Sequence, residues 1–351
     1  MVRRPSAIVP AIVAAIVAAI VVAACAQDAT APSDPTPARL PDAPSSYVAL
    51  FGYQATVLPL DRGAAINSAG AVVGTLAGQG AYYAQGVTTT LALLPTVTSV
   101  TPVALLDDGR ILAQGNGPQG PKALYYPAPH GSPIDIAAPG WAEPTAMNNA
   151  GIAVGRYGPH SGGWGGFRWS AATGLVDITP PGYDLAWATN ISRGGYVIGW
   201  VQLGNTVSNF RWNLSGTGGV VLPHGLVMTQ PLDDGSVLVR LPTLGSAIWA
   251  PWGTRPVGPD PSRLFVDKIS PNGRYVGFFV YSTDTYRAWT SIGGGAPITL
   301  PVPTGFTSVS VRDVNGCGTI LGQGVMATGE RHAILWTRAL TCDSGPILST
   351  R

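Results

Sequence analysis

Residues 146–170 read AMNNAGIAVGRYGPHSGGWGGFRWS, and this stretch decides the fold. It divides into a short apolar strand, a turn at Asn148-Asn149-Ala150-Gly151, a second strand ending at Gly155, a loop, and a third strand over 166–169. Asn beside Gly closes a tight hairpin, because Gly takes a positive φ without a steric penalty.

The same phrase recurs along the chain. Its turn glycines are Gly70, Gly109, Gly151, Gly195, Gly235, Gly273 and Gly318, spaced 39, 42, 44, 40, 38 and 45 residues apart. An apolar pair follows each, as in Val72-Val73, Val197-Ile198 and Ile320-Leu321. A second glycine comes four residues after the first at Gly74, Gly155, Gly199, Gly277 and Gly322, whereas Ala113 and Val239 stand there in two repeats. Each third strand ends in an aromatic: Tyr83, Tyr126, Trp169, Trp212, Trp249, Trp289 or Trp336.

A period near 40 with several short strands per unit is that of propeller blades. A sheet apolar on both faces cannot stand alone and must stack on neighbours, and closing the stack into a ring leaves no bare face. The second glycine fits a place where backbones crowd, and the aromatic fills the widening gap between blades. The expected fold is all-β, a seven-bladed β-propeller. Six or eight blades remain as alternatives, because the end strands can be counted either way. The segment 47–60 (YVALFGYQATVLPL) has no turn phrase before it and is expected to complete the last blade.

Composition agrees with a folded, turn-rich exported chain. Of 351 residues, 46% are hydrophobic and only 11% charged, with 46 glycines and 32 prolines. Residues 1–24 carry Arg3 and Arg4, then an apolar run, then Val22-Ala23-Ala24-Cys25. This resembles the bacterial lipobox, which implies acylation of Cys25 and removal of residues 1–24; a transmembrane anchor and an ordinary signal peptide are the alternatives. Residues 25–46 then form a Pro/Ala-rich tether, 47–342 the propeller and 343–351 a tail. Without Arg3 and Arg4, the 20 basic residues become 18 and match the 18 acidic ones. No basic stripe remains, which argues against nucleic acid as a partner. Of the other cysteines, Cys317 and Cys342 are a disulfide candidate for an exported chain.

The phrase Ile66-Asn67-x-x-Gly70-x-Val72-Val73-Gly74, with the strand His332-Ala333-Ile334-Leu335-Trp336, resembles the HAF-type extracellular repeat of bacterial exported proteins. The resemblance covers about residues 48–340. Only the last repeat keeps the His of the motif, and Ile334 replaces its Phe. The repeat Ile269-Ser270-Pro271-Asn272-Gly273-Arg274-Tyr275-Val276 also resembles TolB-like and WD40-like propellers. Both resemblances imply a propeller outside the cytoplasm and neither implies an activity.

Candidate chemistry is sparse. Asp107-Asp108 and Asp233-Asp234 fall on hairpin turns, where Asp is a turn former. The histidines lack metal-ligand spacing, and no nucleophile elbow, phosphate loop or cofactor motif occurs. The glycine-rich run 161–166 reads as a connection between strands. Trp141, Tyr183 and Phe306 each follow a Gly in the connection entering a new repeat, and Trp187 lies near them. These four are the ligand-binding candidates, with plugging of the joints between blades as the plainer role. The expected function is therefore a lipid-tethered, monomeric binding or scaffolding module of the cell envelope, for a protein or glycan. The alternative is a lyase or glycosidase working at the ring mouth, with Arg156, His160, Asp184 and Arg193 as its polar groups.

Overall fold

The computed structural model describes residues 52–338 except 137–139, 161–162, 215, 217, 242–244, 258–264, 271–273, 283–284 and 293–295. The strands form seven four-stranded antiparallel sheets. Blades 1 to 6 are consecutive meanders over 62–90, 99–135, 141–177, 185–221, 227–256 and 265–299. Blade 7 takes three strands from 306–338, and its outer strand is Tyr53–Val57 from the start of the described chain. Blade count and closing strand both follow the sequence expectation, and the six- and eight-bladed alternatives fall away.

Seven apolar clusters hold the ring, each shared by two adjacent blades. The cluster that closes it joins Leu321 and Ala333 of blade 7 to Ile66, Val72 and Ala81 of blade 1, with Leu58 and Leu60 of the closing segment between them. No blade buries its faces by itself, so the seams carry the stability.

Each repeat phrase now has a physical cause. Gly70 and Gly151 sit at φ of +79° and +77°, and their N–H groups bond to the Asn67 and Asn148 carbonyls at 3.0 and 2.8 Å. Every inner strand carries a bulged residue, so the register with the second strand slips between Gly63 and Ala65, Pro144 and Ala146, Ala188 and Asn190, and their equivalents, and blade 7 has a second slip between Phe306 and Ser308. The second glycine lies directly opposite the residue before that bulge, as in Gly63–Gly74 and Ala188–Gly199. A Cβ on Gly155 would stand 2.1 Å from the Glu143 carbonyl oxygen, and one on Gly199 2.0 Å from that of Trp187. The crowding expected from proximity to the axis is thus contact with the bulged inner strand of the same blade.

The third-strand aromatics reach back to the preceding blade. Tyr126 Oη donates to the Ala92 carbonyl at 2.6 Å, Trp212 Nε1 to Ile178 at 2.6 Å, and Trp336 Nε1 to Pro301 at 2.7 Å. Tyr126 is fully buried, and burial pushes its phenol from 10 up to about 12. Tyr157 is pushed to about 12 as well, by burial and then by Asp177. A pKa raised in the folded state contributes stability below pH 10 that is lost as pH climbs through about 12. Tyr126 alone accounts for about 2–3 kcal/mol of that loss. Melting between pH 9 and 12 should therefore fall more steeply for the wild type than for Tyr126→Phe, whose pH 7 stability drops by about 1 kcal/mol for the missing hydrogen bond.

One sequence expectation needs correction. The second and third strands of blade 3 extend to Ala153–His160 and Gly163–Ser170, so Gly163, Trp164, Gly165 and Gly166 are strand residues rather than a loose connection. The missing side chains of Gly163 and Gly166 admit blade 4: a Cβ on Gly163 would meet Leu185 at 2.2 Å, and one on Gly166 would meet Ala186 at 3.3 Å. Cys317 is disulfide-bonded, while Cys342 and Cys25 lie outside the described residues.

Candidate functional site

Just ahead of each bulge, the inner strand pairs one residue with a second-strand residue immediately after the second-glycine position. The pairs are Arg62–Thr75, Thr101–Gln114, Glu143–Arg156, Trp187–Trp200, Val227–Arg240, Phe265–Phe278 and Ser310–Gln323. The repeats differ from one another here, from charged to aromatic to hydroxyl side chains. Across a seam, the second-strand member of one blade meets the inner-strand member of the next. Arg156 lies over Trp187 at 3.9 Å, and Arg240 over Phe265 at 5.8 Å. The fold thus repeats a scaffold and varies a ring of side chains upon it.

The seam between blades 3 and 4 gathers four tryptophans around Arg156. The Arg156 guanidinium also lies 5.6 Å from the Trp141 ring and 5.3 Å from Trp164. Trp200 stands edge-to-face with Trp164 at 6.1 Å and with Trp187 at 5.4 Å. Glu143 holds Arg156 through Nε at 2.7 Å and Nη2 at 2.5 Å. All these residues are half-buried. Cation–π contacts of this kind contribute about 0.5–2 kcal/mol each, the more as water is excluded. The Trp164 and Trp187 indole N–H groups have no acceptor among the described residues, and T-shaped packing lets such an N–H face a ring instead. Gly158 makes room for Trp141, since a Cβ there would stand 2.8 Å from the indole.

Of the four candidate aromatics, the structure brings Trp141 and Trp187 together. Tyr183 packs on Phe210 at 5.9 Å within the blade 3–4 core, and Phe306 on His332 at 6.0 Å within the blade 6–7 core, both as joint fillers. Among the polar candidates, Arg156 is enclosed by the tryptophans. Asp184 accepts the Gly204 N–H at 2.7 Å, and His160 ends its strand. Arg193 and Asp184 flank opposite ends of the seven-residue strand Leu185–Ile191, which is about 20 Å long. Asp184 and Arg193 therefore do not converge. Sequence reasoning missed Trp164, hidden in the glycine run, although its alternation with glycine was a strand signal.

The axial channel holds a cavity of about 460 Å³ towards the hairpin-turn end. One arc of it presents Ala65, Ala104 and Ala146, and the other Asn190, Gln230, Lys268 and Asp313. The polar arc staples each blade to the next. Asn190 Nδ2 donates to the Thr229 carbonyl at 3.1 Å, and Gln230 exchanges two bonds with the Ile269 backbone at 2.8 and 2.9 Å. Lys268 Nζ lies 3.6 Å from Asp313, whose other oxygen accepts the Ile66 N–H at 3.1 Å. The acidic pairs on the turns act alike: Asp107 accepts the Ser68 N–H and Asp233 the Gly194 N–H, each at 2.7 Å from the preceding blade. Their neighbours Asp108 and Asp234 bind within their own turns, to Arg110 and Ser236.

No family model and no curated relative matches the chain. Solved structures do match. A puromycin hydrolase is 11% identical with a TM-score of 0.52, over 82% of this chain and 54% of that one. A prolyl endopeptidase is 12% identical with a TM-score of 0.51, over 82% and 50%. Virginiamycin B lyase from Staphylococcus aureus is 12% identical with a TM-score of 0.47, over 82% and 99%. The chain spans about half the length of the hydrolase and the endopeptidase. At these identities the likeness to the hydrolase and the endopeptidase is one of fold alone, in keeping with the β-propeller described above.

Proposed function

We propose that this chain is a lipid-tethered propeller of the bacterial cell envelope, of the HAF-repeat kind, that binds a glycan or protein ligand through the blade 3–4 seam. The observation that supports this most is the convergence of Trp141, Trp164, Trp187 and Trp200 on Arg156. Indole faces stack on sugar rings and peptide planes, and a guanidinium already oriented by Glu143 offers donors to their oxygens. The binding reading is favoured over the lyase or glycosidase reading because Arg156 is paired with Glu143, Asp184 and Arg193 flank opposite ends of one strand, and the channel charges Lys268 and Asp313 pair with each other. Cys25 and the 25–46 tether supply the membrane attachment in this reading.

Purified propeller titrated with peptidoglycan fragments and neutral and acidic oligosaccharides, followed by tryptophan fluorescence, tests the site. Trp141→Ala with Trp187→Ala should weaken binding by at least about ten-fold, as loss of a stacking anchor does. Full-length Cys25→Ser should leave the membrane fraction. Unchanged binding in the double variant would remove the aromatic seam from consideration.

A further inference from the structure

We propose that the seam between blades 7 and 1 holds a second site, for an oxyanion group, built by Arg62, Arg312 and Arg331. Arg62 opens the inner strand of blade 1, Arg312 is the bulged residue of blade 7, and Arg331 opens the third strand of blade 7. Arg331 pairs with Val325, two residues on from Gln323, so Arg331 and Gln323 share one sheet face. That face carries Leu321 and Ala333 and packs on blade 1. Arg62 faces it from across the seam, in the repeat position where Trp187 covers Arg156. Gln323 is only 5% exposed, and its Oε1 accepts from Arg312 Nη2 at 3.2 Å.

The charge here is uncompensated. Arg110, Arg156 and Arg240 each hold a carboxylate, those of Asp108, Glu143 and Asp267. Among the described residues no carboxylate pairs with Arg62, Arg312 or Arg331. The flanking acids are engaged elsewhere. Asp61 accepts the Ala77 N–H at 2.6 Å, Asp313 serves Ile66 and Lys268, and Glu330 accepts from the Thr328 hydroxyl at 3.2 Å. Desolvation lowers the pKa of Arg312, and the charges of Arg62 and Arg331 lower it further. All three residues are accessible to solvent. Guanidinium groups present paired donors that match the oxygens of a carboxylate, sulfate or phosphate, and such a group would replace the mutual repulsion with charge-assisted bonds.

The test compares melting temperatures in phosphate, in sulfate and in chloride at matched ionic strength. Phosphate or sulfate should raise the wild-type value saturably, beyond chloride, by a few degrees. Arg312→Gln should melt no lower than wild type without anion, since repulsion is relieved, yet should bind the anion at least about ten-fold more weakly. Arg331→Gln should weaken binding likewise. A wild type that responds to sulfate as to chloride, or an Arg312→Gln variant with the full response, overturns the proposal. Titration with a uronic-acid oligomer and a sulfated oligosaccharide distinguishes the sources: tighter binding than free sulfate upholds the site as a glycan subsite, and equal binding upholds it for the free anion. The Trp141→Ala, Trp187→Ala variant should keep the anion response, so this site and the aromatic seam fail or stand separately.

Discussion

A chain lacking residues 1–58 should not melt cooperatively, whereas one lacking only residues 1–46 should melt like the full propeller. The strand Tyr53–Val57 pairs along its whole length with the last strand, from Tyr53–Arg338 to Val57–Ile334. Leu58 N donates to the Ala333 carbonyl at 2.9 Å, and Tyr53 Oη donates to the Gly318 carbonyl at 3.0 Å. Tyr53 and Leu58 are 6% and 2% exposed. Burying two such side chains contributes about 4–5 kcal/mol, before the unpaired strand edge is counted. Whole domains are stable by about 5–15 kcal/mol, so this loss removes much or all of the margin. The broken seam also exposes the Trp336 side of blade 7, so aggregation should accompany the loss. Circular dichroism melting and size-exclusion chromatography read both effects. A truncated chain with an unshifted, cooperative transition would mean that the ring does not depend on its closing strand.

The second large effect is expected at Gly155. Gly155→Ala places a Cβ 2.1 Å from the Glu143 carbonyl oxygen and 2.6 Å from the Phe167 ring. Neither neighbour can yield, since the carbonyl lies in the bulged inner strand and Phe167 is fully buried. The cost should be about 3 kcal/mol, lowering the melting temperature by roughly 10 °C. Gly70→Ala is the informative contrast. A Cβ at Gly70 meets nothing within 4 Å, but φ is +79°. There the cost is left-handed backbone strain alone, about 1 kcal/mol. Equal losses at the two sites would show that the second glycine serves turn geometry and not the bulge.

The comparison of these glycines shows how much was legible in the chain. Gly70 and Gly155 belong to one repeated phrase, and both the period and the need for glycine can be read from neighbours in sequence. The aromatic at each third-strand end was equally legible, because a blade stacked on another needs a large apolar side chain at its wide end. The bulge was not legible. It inserts a residue within an otherwise regular strand, and no turn residue marks it.

That single inserted residue decides what the sites contain. The all-β class, the repeat order and the turn positions were determined by the sequence itself, because turn chemistry and apolar periodicity act over a few residues, whereas the count of seven blades and the closing strand Tyr53–Val57 within 47–60 were fixed by the closed ring. The meeting of Arg156 with Trp187 and Trp164, and the placing of Arg312 and Arg62 at one seam from some 250 residues apart in the chain, were decided only in the tertiary structure. The reason is geometric. Seams join residues through the stagger of stacked sheets and the bulge that resets it, and neither quantity is carried by any local run of side chains.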